Sequence, residues 1–405
     1  MLGEVPSGWQ IRPLSDFLKE SRVPGSDGRS ASKLSVKLYG RGVVAKEERS
    51  VGSENTKYFV RRAGQLLYSR LDFLNGAFGL VPRHLDHRES TADLPAFDID
   101  PHLDPFWLLS FLTQPSFYER QRGAAIGSRK ACRIAPDEFL RMQVPLPPLP
   151  EQKKIAALLS SVDEAMQATQ AVIDQTRRVK EGLLQDLLTR GIGLTRFKQT
   201  EIGEIPEGWD VRRVGTLCER VTDGTHQSVE TTAVGPVPFL YVSCLSQGQL
   251  LWDKASYIDT RTYEAISKGR EAREGAVLYT VVGSYGNAAV LPSDRAVAFQ
   301  RHIAVMYPAR DKLLPEFLCA VLNAPRTKAR VDTLVVGNAQ KTLTLAALKS
   351  LQIAVPSLAE QANIASTLSS FQTAINRSSV QLAQLQGVKS GLLTDLLTGK
   401  VRVTP

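Results

Sequence analysis

The strongest constraint in this sequence is that it repeats itself. Residues 3–12 read GEVPSGWQIR and residues 203–212 read GEIPEGWDVR, so Gly, Glu, Pro, Gly, Trp and Arg recur at one offset. Residues 151–189 and 360–398 form a longer pair, identical at 18 of 39 positions. Each copy follows a proline-bearing stretch, Val144–Pro150 in the first and Val355–Leu358 in the second. The chain is therefore two half-molecules, and repeats of this kind set the architecture before any local propensity does. The middle regions of the halves share almost no sequence. A duplicated frame around divergent inserts suits one scaffold presenting two different specificities.

The repeated segments have a helical period. Ile155, Val162, Thr169, Thr176 and Leu183 fall seven apart. Leu158, Ala165, Val172 and Val179 follow three later, and Leu159, Met166, Ile173 and Leu187 widen the stripe. The second copy places Ile364, Phe371, Leu385 and Leu392 beside Leu368, Ile375, Leu382 and Leu396. Such heptads predict a coiled coil, with Gly191 and Gly399 as stops. At 1.5 Å per residue, ~39 residues make a rod of about 58 Å. An apolar stripe must be buried, and the other copy, paired antiparallel, is the expected partner. Glu151, Gln152, Ile155, Leu183 and Leu187, with Glu360, Gln361, Ile364, Leu392 and Leu396, are expected at this helix interface or against a docked subunit.

The predicted organisation is a first globular region at 1–150, a spacer helix at 151–190, a linker and second region at 191–359, and a second helix with a tail at 360–405. Both regions read as α+β with mostly antiparallel strands. In the first, strand-like runs cover Lys33–Tyr39, Gly64–Arg70 and Gly76–Pro82, with a helix at Pro105–Gln114. In the second they cover Pro238–Ser243, Gly275–Thr280, Ala288–Leu291 and Arg301–Met306, with a helix at Glu316–Asn323.

The net charge of +9 favours an acidic partner such as nucleic acid. The excess is concentrated in the irregular regions: +4 over residues 1–150 and +3 over 191–359, against zero over 151–190. Candidate DNA contacts are residues able to neutralise phosphate or read base edges. They are Arg41, Lys57, Tyr58, Arg61 and Arg62, the Gly127-Ser128-Arg129-Lys130 loop, Thr225 and His226, Tyr285 and Asn287, Gln300 and Arg301, and Asn338, Gln340, Lys341 and Thr342. The loops at 127–130 and 337–342 occupy comparable places in the two halves.

Catalytic and metal signatures are missing. His84, His87, His102, His226 and His302 form no H-E-x-x-H and pair with no cysteine at ligand spacing. There is no phosphate-binding G-x-x-x-x-G-K-[ST], no G-x-G-x-x-G after a strand, no nucleophile elbow, and no N-P-P-[YF] motif for holding a target base. Cys132, Cys218, Cys244 and Cys319 lie far apart, against a zinc site or a disulfide framework and in keeping with a reducing, cytoplasmic setting. No apolar run approaches the ~20 residues of a membrane-spanning helix. The first nine residues read as no secretory signal.

The order of opening tryptophan, divergent region, P-L-P-P-L-x-E-Q-x-x-I and long helix, then the same again, resembles the specificity subunits of type I restriction–modification systems. The likeness covers the whole chain. Its most specific parts are Pro147-Pro148-Leu149 with Glu151, Gln152 and Ile155, the segment Lys180–Thr189, and the second copies from Glu360 and Lys389. Asn75–Gly79 resembles one common type of first recognition domain. The second copy departs at Pro356–Ala359, which replaces the proline-rich run.

The resemblance implies two target-recognition domains, each reading half of a bipartite, asymmetric site on double-stranded DNA. The helices set the spacing and dock two modification subunits that methylate adenine, and restriction subunits join them. S-adenosylmethionine, ATP and magnesium belong on those partners, with no cofactor and no catalytic residue on this chain. Other readings of the same residues are a specificity partner in another methylation-based defence system, a coiled-coil interaction protein without a DNA role, and an enzyme with its own active site, which the missing motifs oppose.

Overall fold

A computed structural model describes residues 5–47, 53–124, 133–246, 248–292, 295–337 and 340–403. The chain forms two compact units: Met1–Gln170 with Val380–Pro405, and Ala171–Ser379. Two helices dominate the secondary structure, Leu149–Arg190 and Leu358–Leu397. Each starts in one unit and ends in the other. Among the described residues no helix is long and apolar enough to cross a membrane.

In the first unit, the strand Gln10–Pro13 pairs antiparallel with Gln143–Leu146, Gln10 opposite Leu146. This closes the globular part at both ends of its sequence. Inside lies an antiparallel sheet in the order Leu18–Ser21, Ala96–Ile99, Leu66–Tyr68, Phe78–Leu80. Its core is aromatic: Tyr68 stacks on Phe97 at 5.9 Å and meets Phe139 at 4.8 Å, while Phe73 meets Phe78 at 4.8 Å. Such pairs add to the free energy of burial itself. The helix Pro105–Leu112 covers this core with Trp107, Leu108 and Leu112, and the Asp104 carboxylate caps it by accepting from the Phe106 and Trp107 amides.

The second unit repeats the plan. Asp210–Arg213 pairs antiparallel with Gln352–Val355. The inner sheet runs Cys218–Asp223, Ile303–Pro308, Val277–Thr280, Ala288–Val290, which is the same order of first, last, and the two middle strands. The helix Pro315–Asn323 packs on it, burying Phe317, Leu318 and Leu322. Two regions without recognisable sequence similarity thus share one topology. The strand expected over Lys33–Tyr39 is shorter, Leu34–Val36. The backbone turns to positive φ at Tyr39, Gly40 and Gly42, which no strand accommodates.

The long helices form an antiparallel coiled coil with a strict heptad seam. Ile155, Leu159 and Ile173 are buried in the first helix, and Ile364, Leu368, Ile375 and Leu396 in the second. The seam follows the positions four after each heptad start, Leu159, Met166, Ile173 and Leu187. The set three after does not belong to it: Leu158, Val172 and Val179 are 42%, 54% and 43% exposed, and Ala165 is exposed as well. One residue rotates a side chain by about 100° around the helix, so the two registers present different faces. Inside the first unit Lys389 Nζ lies 2.6 Å from Asp163 Oδ1. Inside the second, Lys180 Nζ donates to Gln372 Oε1 at 2.6 Å. These pairs occupy equivalent positions of the repeat, so one antiparallel register is pinned twice. Polar groups in an otherwise apolar seam penalise slipped pairings.

Ile364 is fully buried in the core of the second unit. Ile364→Ala should lower stability by about 2–5 kcal/mol, read as a reduced urea midpoint. The same change at exposed Val380 should leave the midpoint within about 0.5 kcal/mol of the parent.

Candidate nucleic-acid interface

The start of each long helix is tied to its globular region by the same two residues. In the first unit the Glu151 carboxylate accepts from Trp9 Nε1 at 3.1 Å and from Arg402 Nε and Nη2 at 2.8 and 2.9 Å. Gln152 accepts from the Asp104 amide and donates to the Pro147 carbonyl. In the second unit Glu360 accepts from Trp209 Nε1 at 3.1 Å and from the Ile192 amide at 3.3 Å. Gln361 accepts from the Leu314 amide and donates to the Lys312 and Pro356 carbonyls. Asp104 and Leu314 each immediately precede the helix that covers a core.

Gly191 and Gly399 end the opposite helices at φ +67° and +70°, against Trp209 and Trp9 respectively. The left-handed stop is nearly free of cost for glycine alone. Of the ten residues expected at a helix or subunit interface, Glu151, Gln152, Ile155, Leu187, Gln361, Ile364 and Leu396 are buried in their own chain, while Leu183, Glu360 and Leu392 are half-buried. A buried side chain has no surface to offer another subunit. Among the described residues, the exposed large apolar side chains of the long helices are instead Leu158, Val172, Val179, Leu358, Val380 and Val388.

In the second unit the strand register gathers the candidate DNA contacts. Asp223 pairs opposite Ala304, Thr280 opposite Ile303, and Tyr279 opposite Ala288. The loops 224–226, 281–287 and 300–302 therefore leave one end of the sheet. Backbone bonds knit them: Thr225 amide to Phe299 carbonyl at 2.8 Å, Arg301 amide to Thr225 carbonyl at 3.0 Å, and Val281 amide to His302 carbonyl at 2.9 Å. The segment 340–342 joins through the Gly283 amide on the Lys341 carbonyl and the Leu343 amide on the Val281 carbonyl. Gly224 lies against the Phe299 and Gln300 carbonyls, where a Cβ has no room.

On this platform His226, Arg301, Gln340 and Lys341 are exposed, and Gln300, Asn287 and Thr342 are half-buried. His226 Nε2 lies 2.7 Å from Asp223 Oδ2, whose other oxygen meets Arg270 Nη1 at 3.1 Å. Thr225 is buried and serves the backbone. Tyr285 donates to Asp332 at 2.8 Å, which holds its hydroxyl proton more tightly than usual. Lys328, beside Gly286, and Arg270 also belong here. No sequence spacing marks those two, because Lys328 lies on the helix Pro325–Asp332 and Arg270 on a loop that only the fold brings to this end.

The first unit has a corresponding end, where Ser21, Ala96, Leu67 and Phe78 sit. The Ile134 amide bonds the Arg70 carbonyl at 3.1 Å, as Leu343 does Val281. Arg70 and Arg133 meet Asp93 near this end, and the exposed Arg41 follows Gly40, whose amide bonds the Gly76 carbonyl. Ser128, Arg129, Lys130 and Asn338 lie outside the described residues. Lys57, Tyr58 and Arg62 are on or beside a separate three-stranded sheet, with Lys33 Nζ over the Tyr58 ring at 5.9 Å.

Arg61 is corrected outright. It is 1% exposed, and its guanidinium donates to Ser90 Oγ and to the Ser21 and Leu94 carbonyls. Burial pushes its pKa down to about 10. It is a structural strut, with no surface for phosphate. Among the described residues no cluster of His, Cys, Asp and Glu could hold a metal ion.

Each unit combines a loop-bearing sheet with paired segments of the two long helices, and the comparisons agree with that fold. Residues 206–385 match the family described as Type I restriction modification DNA specificity domain. The chain is 26% identical over 274 residues to the MjaVIII specificity subunit of Methanocaldococcus jannaschii, spanning 63% of that protein and 65% of its own length. It is 23% identical over 437 residues to the putative MjaX specificity subunit of the same organism, covering 99% of this chain and 96% of that one. The fold matches a type I restriction–modification S subunit from M. genitalium at TM-score 0.59 and 14% identity, over 97% and 96% of the two chains. A chain from another type I system matches at TM-score 0.58 and 17% identity, over 98% and 100%. By sequence and by fold the chain is similar to type I restriction–modification specificity subunits.

The Arg402 guanidinium, with help from the Trp9 indole, holds the Glu151 carboxyl below its usual range. A carboxylate with a depressed folded pKa stabilises the fold above its unfolded pKa and loses that contribution as pH falls through the folded value. Stability should therefore drop on acidification below about pH 4. Glu151→Gln should start lower at pH 7 and show a shallower acid slope, measured by thermal unfolding across pH.

Proposed function

We propose that this chain is the DNA-recognition subunit of a type I restriction–modification complex, and that it carries no catalytic centre of its own. The observation that supports this most directly is the convergence of polar and basic loops on the same sheet end in both units. Sequence reading by a scaffold of this kind separates into two parts. Lys and Arg on the loops supply phosphate affinity whatever the sequence, and a few side chains read base edges. Arg301, Gln300 and Asn287 carry the donors and acceptors that read base edges, and would do so in the second half-site; Lys341 and Lys328 suit phosphate.

Each unit reads one half of a bipartite site, and the two engage bivalently, so that specificity multiplies. The spacing is set by the helices. The exposed residues Leu158, Val172, Val179, Val380 and Val388 are the surface for modification subunits. Those subunits bind S-adenosylmethionine and flip the target adenine out of the duplex. Restriction subunits, with ATP and magnesium, complete the assembly, which works on DNA in the cytoplasm.

Methylome sequencing of cells co-expressing this chain and its modification subunit, against cells lacking this chain, tests the reading. One bipartite adenine-methylated motif, present with this chain alone, is expected. With both proteins folded and associated, the absence of any chain-dependent motif would refute it. Arg301→Ala should relax a single position in one half of the motif and weaken binding by about 1–3 kcal/mol. Lys341→Ala should weaken all sequences alike and lower the slope of log affinity against log salt by about one.

A further inference from the structure

The loop after strand Leu34–Val36 places an aromatic side chain in solvent at the first unit's loop-bearing sheet end. Tyr39 is 63% exposed and its neighbour Leu38 36%. Tyr39 also holds φ +56°, one of two described non-glycine residues with positive φ. Strain of this sort persists where the surroundings enforce it. Here the Tyr39 amide donates to the Asn75 carbonyl at 2.9 Å, and the Gly40 amide to the Gly76 carbonyl at 2.8 Å. Gly42 and Gly79 meet backbone to backbone, and a Cβ on Gly79 would lie 2.8 Å from Gly42 Cα. The backbone of the loop is thus pinned while its tip stands in solvent. Lys37 and Arg41 flank the tip and are exposed. Among the described residues no ion pair neutralises either.

Resting on the proposed reading of DNA, we propose that Tyr39 is a stacking wedge that inserts at a base step of the half-site read by the first unit. An apolar and aromatic tip between two exposed cations fits a duplex, whose phosphates meet Lys37 and Arg41 while the base stack covers the ring. A protein partner would need an acidic collar around an apolar socket; DNA provides both along its length. A wedge selects steps that unstack easily, such as pyrimidine–purine steps, so it confers specificity at a position with no hydrogen-bonded base contact. Preorganisation of the loop spares the ordering of a mobile side chain on binding.

The test uses the full chain with its modification subunit and duplexes bearing the bipartite motif from methylome sequencing. 2-Aminopurine is placed at successive positions of each half-site. Binding by the parent should brighten the flipped target adenine position of each half-site and, in one half-site only, a further position several-fold; that further position carries the signal of the wedge. Tyr39→Phe should keep that signal. Tyr39→Ala should abolish it and weaken site-specific affinity about tenfold or more, as loss of a base–aromatic stack does. Tyr39→Gly relieves the backbone strain, so it should unfold at a temperature no lower than the parent while losing the signal; a purely structural tyrosine would leave the signal intact. Unchanged brightening at that position and unchanged affinity in both Tyr39→Ala and Tyr39→Gly overturn the proposal. So does undiminished DNA binding with lost association of the modification subunit, which would make the tip a protein contact. If the unsubstituted complex binds no specific duplex, the DNA-recognition reading itself fails, a result visible before any substitution is made.

Discussion

The architecture depends on one carboxylate at the start of each long helix. Glu151 and Glu360 each accept an indole N–H, from Trp9 and Trp209, at 3.1 Å. In a single contact this joins the opening segment of a half-molecule to the helix that ends it. The glycine stop of the opposite helix closes over the same tryptophan. A buried acceptor such as Glu151 is costly to leave without its donor, so this contact favours keeping three distant pieces of chain together. The adjacent Gln152 and Gln361 extend the tie to the head helices by satisfying the amides of Asp104 and Leu314. Four residues in two dipeptides thus join helix to head in both units.

The two ties differ in one informative respect. Glu151 is closed by Arg402, a charged fork from the tail, whereas Glu360 takes a backbone amide from Ile192. The first tie therefore has a strong ionic component and the second does not. The coiled-coil seam has a similar asymmetry: Lys389 meets a carboxylate, Asp163, and the equivalent Lys180 meets an amide, Gln372. Burial depresses the Lys180 pKa, so an ionic form in that position is held at some cost. The repeat preserves where polar groups stand and lets their strength drift.

Function, on the proposed reading, lives where the repeat is weakest. Both inner sheets keep the same strand order, and their loops leave at the same end, yet those loops share no sequence. Val281 and Thr342 in one unit correspond in placement to Arg70 and Arg133 in the other, with no likeness of side chain. A scaffold that fixes where loops emerge while leaving their residues free can change its target without changing its fold.

The sequence alone determined the duplication, the two long helices, their glycine stops and the importance of Glu151, Gln152, Glu360 and Gln361. All of these are local or periodic signals, carried by residues near one another or repeated at fixed offsets. It placed the head helices and most inner strands to within a few residues, because alternation and proline boundaries are also local. The seam register, the burial of Arg61, the common topology of the two heads and the meeting of residues 223–226, 281–287, 300–302 and 340–342 were decided by tertiary structure. Arg61 and Arg62 look alike in sequence. Only the closing of one sheet against another puts the first among carbonyls and leaves the second in solvent. Long-range strand pairing leaves no trace at short sequence separation, so a site assembled by it becomes visible only once the chain has folded.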